Sequence, residues 1–229
     1  MNFAQVFSEG TSLLLEGIKL TVGIALFSIL IGFFIGLFAC LMGISNVKIL
    51  KFISGAYVWV IRGTPMIVQA FIVYFGVPQV VQVFISGFRF TPFVAGVITL
   101  SLNAGAYMSE IFRGGIQAVN KGQIEAARSL GMSQSKALIK VVLPQAFRIA
   151  IPSLVNQFII TIKDTSILSV IGLAEIVNKA KTYVGATYQF FATYIYVAAF
   201  YLVIISVLMI FSKMLEKRLN NNGRKSKSH

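Results

Sequence analysis

The sequence predicts an all-α integral membrane protein with about five transmembrane helices, on three observations. First, 57% of the residues are hydrophobic, 12% are charged and the mean hydropathy is +0.83, well outside the range of soluble domains. Second, no charged residue occurs in the 28 positions between Lys19 and Lys48, more than the roughly 20 helical residues that cross a hydrocarbon core, and Tyr183 to Ser212 forms another such stretch. Third, these runs show no period-two alternation. Backbone groups cannot stay unpaired in lipid, so the spans are helices rather than barrel strands.

Five spans follow at 20–43, 52–78, 92–112, 151–172 and 189–211, which places the termini on opposite sides. The connections 44–51, 113–150 and 212–229 hold fourteen Lys and Arg residues, against four in 1–19, 79–91 and 173–188. The positive-inside rule therefore sets the N-terminus outside and the C-terminus in the cytoplasm. Residues 1–16 read as an external segment, 17–215 as the membrane domain and 216–229 as a basic cytoplasmic tail; the polar end from Lys213 onward is expected to be frayed and solvated, anchored on anionic membrane lipid. A net charge of +13 points to nucleic acid in a soluble protein, but here the basic residues lie between spans, and no nucleic-acid partner is expected.

One cysteine, Cys40, allows no internal disulfide, and the single histidine, His229, builds no metal cluster. Leu37-Phe38-Ala39-Cys40 loosely resembles a lipoprotein cleavage box. Phe38 fits that box poorly and no basic cluster precedes it, so a retained helix is expected. Gly32 and Gly36 form a GxxxG that suits ordinary helix packing.

The patterned segment is 113–150. Glu125-Ala126-Ala127-Arg128-Ser129-Leu130 forms a helix, Gly131 suits the left-handed residue that ends it, and Ser133 caps a second one. That second helix carries Ala137, Leu138, Val141 and Val142 at helical spacing, and Pro144 disturbs it near its end. Helix, turn and helix also describe a DNA-binding motif. A recognition helix needs room to enter a major groove, however, and this one is tethered to a span on each side. A compact cytoplasmic knuckle that presses on a peripheral protein is the better reading.

At this segment the chain resembles the permeases of ABC importers. Glu125-Ala126-Ala127, three residues, Gly131, nine residues, Val141, one residue and Leu143-Pro144 match the EAA loop of that family, with Val141 in place of Ile. Over about 17–215 the chain resembles the polar amino acid branch, through Arg62-Gly63-Thr64-Pro65, Gly105-Ala106-Tyr107 with Glu110 and Arg113-Gly114-Gly115, and Lys163-Asp164-Thr165-Ser166 with Val170-Ile171-Gly172. The resemblance implies a type I permease fold in a bacterial inner membrane. It also implies a second permease copy or homologue, two ATP-binding subunits that receive Glu125, Ala126, Ala127, Gly131, Leu143 and Pro144, and an extracytoplasmic binding protein that delivers a polar amino acid. ATP and Mg would be bound by the partner ATPase and no cofactor by this chain, in keeping with the absence of GxxxxGK[ST].

Ionisable residues inside a span are costly and mark candidate functional sites. Lys163 and Asp164 lie about twelve residues, or roughly 18 Å, into the fourth span. Asn156, Ile160 and Lys163 or Asp164 share one stripe; Asn103, Tyr107 and Glu110 share another. Lys163, Asp164 and their neighbours either answer the ammonium and carboxylate of an amino acid or pair with other helices to hold the bundle. Arg62 and Glu110 read as packing or capping residues. Some members of the branch carry Glu where Gln157 stands, and a neutral Gln157 weakens preference for a cationic side chain if that position lines the pathway. The candidate pathway residues are therefore Asn103, Tyr107, Asn156, Gln157, Lys163, Asp164 and Thr165.

Intramembrane enzyme chemistry lacks its parts, since HExxH, GxSxG and matched catalytic aspartates are absent from the sequence. A carrier or channel has no use for the long cytoplasmic segment, and no internal repeat supports one.

Overall fold

The computed structural model describes the backbone of residues 3–225 and side chains as far as 218. His229 lies outside the described residues. Among those described the chain is helical throughout, with no strand.

The first helix, α1, runs over Phe3–Ile44 with a π turn at Val6–Gly10, so the external segment and the span at 20–43 are one rod. Cys40 sits inside that rod, buried against Met108, Phe112 and Ala150. The span drawn at 52–78 is two helices, α2 (Lys48–Gly63) and α3 (Met66–Val81), bent by 106°. Pro65 causes the break: it lacks an N–H, and Thr64 before it is forced extended, at φ −122° and ψ 145°.

Next comes α4 (Pro92–Gln117), N-capped by Thr91. By length and composition α1, Gln134–Ile171 and Phe190–Arg218 qualify as membrane spans, and the bent pair makes a fourth. The fifth expected span, 92–112, falls in α4, which is less apolar because it lies among other helices. It buries Thr99, Ser101, Asn103 and Ser109 against protein rather than lipid. Gly32 and Gly36 of α1 meet α4 backbone to backbone; a Cβ on Gly36 would lie 2.8 Å from Gly105 O.

After the short helix α5 (Lys121–Ser129), α6 runs unbroken over Gln134–Ile171. The second loop helix and the fourth span are thus continuous, and the connection 113–150 is mostly helix. Pro144 does not end a helix there: a π turn at Leu138–Val142 directly before it absorbs the missing N–H. The last turns of α6, Thr165–Ile171, tighten to a 3₁₀ helix that stops at left-handed Gly172.

The connection 173–188 contains α7 (Ile176–Thr187), and α8 covers Phe190–Lys225. The expected frayed tail from 213 onward is therefore helical as far as Lys225. Leu202 and Val203 on α8 are 69% and 63% exposed, the apolar outer face a lipid-facing helix presents.

Candidate functional site

Two places on the fold hold the residues singled out from sequence. In the connection between α4 and α6, Asn120 caps α5 by accepting Gly122 N–H. The helix closes in a Schellman motif, in which Met132 N–H donates to Ala127 O (3.1 Å) and Gly131 N–H to Arg128 O (2.9 Å). Gly131 takes φ +84° as expected, and Ser133 Oγ accepts Lys136 N–H at the start of α6.

Ala127 is buried, whereas Glu125, Ala126 and Leu130 are exposed, Leu130 by 82%. Underneath, Ile116, Val119, Ile124, Leu138, Val142 and Ala146 form one apolar cluster that joins α4, α5 and α6. Gln145 Nε2 donates to Val141 O (3.0 Å) and reaches Gln123 Oε1 (3.4 Å). The knuckle is thus seated on the helix ends with its outer face uncovered. Leu143 is half-buried and Pro144 exposed at its far edge.

Inside the span region, the α4 stripe faces the bent pair. Asn103 is 8% exposed and donates from Nδ2 to Gln69 Oε1 (3.2 Å). Arg62 lies over the Tyr107 ring, 5.2 Å from its centroid, and pairs with Glu110 at 3.5 Å; Arg113 pairs with Glu110 from the next turn of α4. These groups line an open cavity of about 560 Å³ with Val58 and Trp59. Arg62 and Glu110 thus pair with each other at the wall of this cavity.

The α6 stripe has a different environment. Asn156 and Lys163 are exposed and Asp164 is half-buried; Gln157 is buried, and so is Thr165, whose Oγ1 donates to Ile162 O (2.7 Å). Among the described residues the ion pairs are Arg62–Glu110, Arg113–Glu110 and Lys179–Glu16, so neither Lys163 nor Asp164 closes one to another helix. No hydrogen bond among the described residues links the two stripes.

Two residues escaped the sequence reading. Glu175 is fully buried and caps α7 by accepting Asn178 N–H (2.8 Å) and Val177 N–H (3.0 Å). Burial pushes its carboxyl up to about 7, against the lowering effect of those two N–H groups and of Lys181. The other is Gln69, a polar side chain within a drawn span. A polar side chain in an apolar stretch was the available signal for Gln69; Glu175 lies in the connection 173–188, where an acidic residue carries no such signal.

The family described as binding-protein-dependent transport system inner membrane component matches residues 28–221. The arginine transport system permease protein ArtQ of Bacillus subtilis is 39% identical over 209 residues, covering 91% of this chain and 93% of that one. The glutamine transport system permease protein GlnP of Escherichia coli K12 is 37% identical, covering 90% and 93%. Among solved structures, an amino acid ABC transporter superposes with a TM-score of 0.89 at 38% identity, over 95% of this chain and 99% of that one. The MetNI methionine ABC transporter, at 18% identity and a TM-score of 0.76, shares the fold.

Proposed function

The chain belongs to the family of binding-protein-dependent transport system inner membrane components, the permease components of ABC importers, and we propose that its cargo is a polar amino acid such as glutamine, histidine or arginine. As a member of a transport family it is a permease and not a catalytic enzyme. Two ATP-binding subunits on separate chains supply the energy and hold ATP and Mg. A second permease copy or homologue completes the path, and an extracytoplasmic binding protein delivers the cargo. The distribution of basic residues supports an external N-terminus and a cytoplasmic C-terminus.

One observation carries the coupling reading: a knuckle closed by a Schellman motif and seated on the ends of α4 and α6 leaves Glu125, Ala126 and Leu130 uncovered. A partner that presses there moves α6 as a rigid body. The path reading rests on α6, where Lys163 and Asp164 lie beyond the reach of a bundle-holding ion pair. Asn103, Tyr107, Asn156, Gln157 and Thr165 complete the proposed path. Co-reconstitution with the ATPase and a loaded binding protein in lipid tests both readings. ATP- and receptor-dependent uptake across a panel of polar amino acids is expected, and uptake that needs neither refutes them.

A further inference from the structure

Gln69 has no part in the function so far. It lies on the first turn of α3, beside the break, 8% exposed, and its amide joins three helices. Nε2 lies 2.7 Å from Ile61 O, 3.0 Å from Thr64 O and 2.9 Å from Thr64 Oγ1, all at the end of α2. Oε1 accepts from Asn103 Nδ2 of α4.

Chemistry fixes this orientation. Carbonyl oxygens only accept, so Gln69 must turn its NH₂ toward Ile61 and Thr64, which leaves its oxygen for a donor. Thr64 Oγ1 uses its own hydrogen on Val60 O (2.8 Å), so it too has only a lone pair to offer Gln69. A helix that stops inside a membrane leaves its last carbonyls without partners, and Pro65 brings no N–H to them. The Gln69 side chain supplies the donors that the break removes.

We propose that Gln69 is a positioning residue for transport: it fastens the break between α2 and α3 to α4, so that the three helices and the Asn103 amide keep one arrangement while cargo passes. The proposal rests on the importer reading. Neither half of the bent span alone closes the link, because the acceptors lie on α2, the amide on α3 and the second donor on α4.

The test uses Gln69→Glu and Gln69→Leu in the assembled transporter in proteoliposomes, with basal hydrolysis, receptor-stimulated hydrolysis and uptake read together. Wild type at each pH is the reference, so that any response of the other charged groups, Arg62, Glu110, Arg113, Lys163 and Asp164, cancels. Both variants are expected to assemble and to keep basal hydrolysis within about twofold, while uptake per ATP falls about tenfold, or ~1.4 kcal/mol. On mild acidification Gln69→Glu alone recovers, since a protonated carboxyl has one O–H for the α2 carbonyls and a C=O for Asn103. A residue that only fills space gives no such selective recovery.

Uptake per ATP near wild type in both variants, or equal losses in both at every pH, overturns the proposal. If Gln69→Leu does not assemble, Gln69→Glu prepared at acidic pH and then shifted to alkaline pH decides alone: uptake that is unchanged by the shift overturns it. If wild type imports no amino acid with ATP and receptor, the importer reading fails and this proposal falls with it. A wild type that imports beside indifferent variants removes only the role of Gln69.

Discussion

Gly115 on α4 and Ala146 on α6 meet backbone to backbone: a Cβ on Gly115 would lie 2.6 Å from Ala146 O and 3.3 Å from Ala150 Cβ. This crossing lies directly above the apolar seat of the knuckle, which contains Ile116 and Ala146 themselves. Gly115→Val is expected to force the helices apart at a cost of ~1–3 kcal/mol. Thermal unfolding in detergent measures it, and a midpoint equal to wild type would show that the crossing yields freely.

Gly131 differs, because nothing lies within 4 Å of where its Cβ would stand. Its constraint is φ +84° alone. Gly131→Asn is expected to be tolerated, whereas Gly131→Val strains the left-handed turn by ~1–2 kcal/mol and tilts the knuckle. Binding of the ATPase subunit, measured in detergent, should weaken for Val and hold for Asn.

Glu125 is exposed, so Glu125→Lys should leave stability within about 0.5 kcal/mol of wild type. Association with the ATPase, or its stimulation, is expected to fall. Unchanged coupling would move the contact elsewhere on the knuckle.

Asp164→Asn is expected to lower uptake about tenfold, or ~1.4 kcal/mol of barrier, with the complex intact. Loss of assembly instead would assign Asp164 to holding the bundle. Size-exclusion elution of the complex beside uptake separates the two.

Glu175 gives the pH dependence. Its carboxyl titrates at about 7 in the fold against 4.5 for the free group, so between those values the folded state holds the extra proton. Stability is then highest on the acid side and falls as pH rises through 7, by on the order of 3 kcal/mol. Glu175→Gln should flatten that slope in thermal unfolding followed across this range; a slope that persists would place the titration elsewhere.

Much of this fold could be read in the sequence, because lipid imposes a strong compositional signal. The uncharged runs gave α1 and α8, and the Gly131 turn was legible because only one backbone region suits a glycine between two helical patterns. The bend was missed although Thr64-Pro65 carried its signal: hydropathy ignores backbone geometry, and the run 52–78 stays apolar through the break. Pro144 does disturb its helix, as a π turn directly before it, but the helix runs on into the span instead of ending nearby. Among the site residues, the environment of Lys163 and Asp164 was not legible, because ion pairing depends on which helices are neighbours. Gln69 stood out only as a polar residue in an apolar run, and its role was hidden for the same reason: its partners lie on α2 and, 34 positions away, on α4.

The unbroken course of α6 has a mechanical meaning. From Gln134 to Lys163 the helix measures about 40 Å, with the knuckle at one end and the ionisable pair near the other. A rod of that length magnifies rotation: its π turn at Leu138–Val142 lies close to the knuckle, and a tilt of about five degrees there sweeps the far end through roughly 3 Å. Under the coupling proposed above, a push on the knuckle would reach Lys163 and Asp164 through this one element, without crossing a loop.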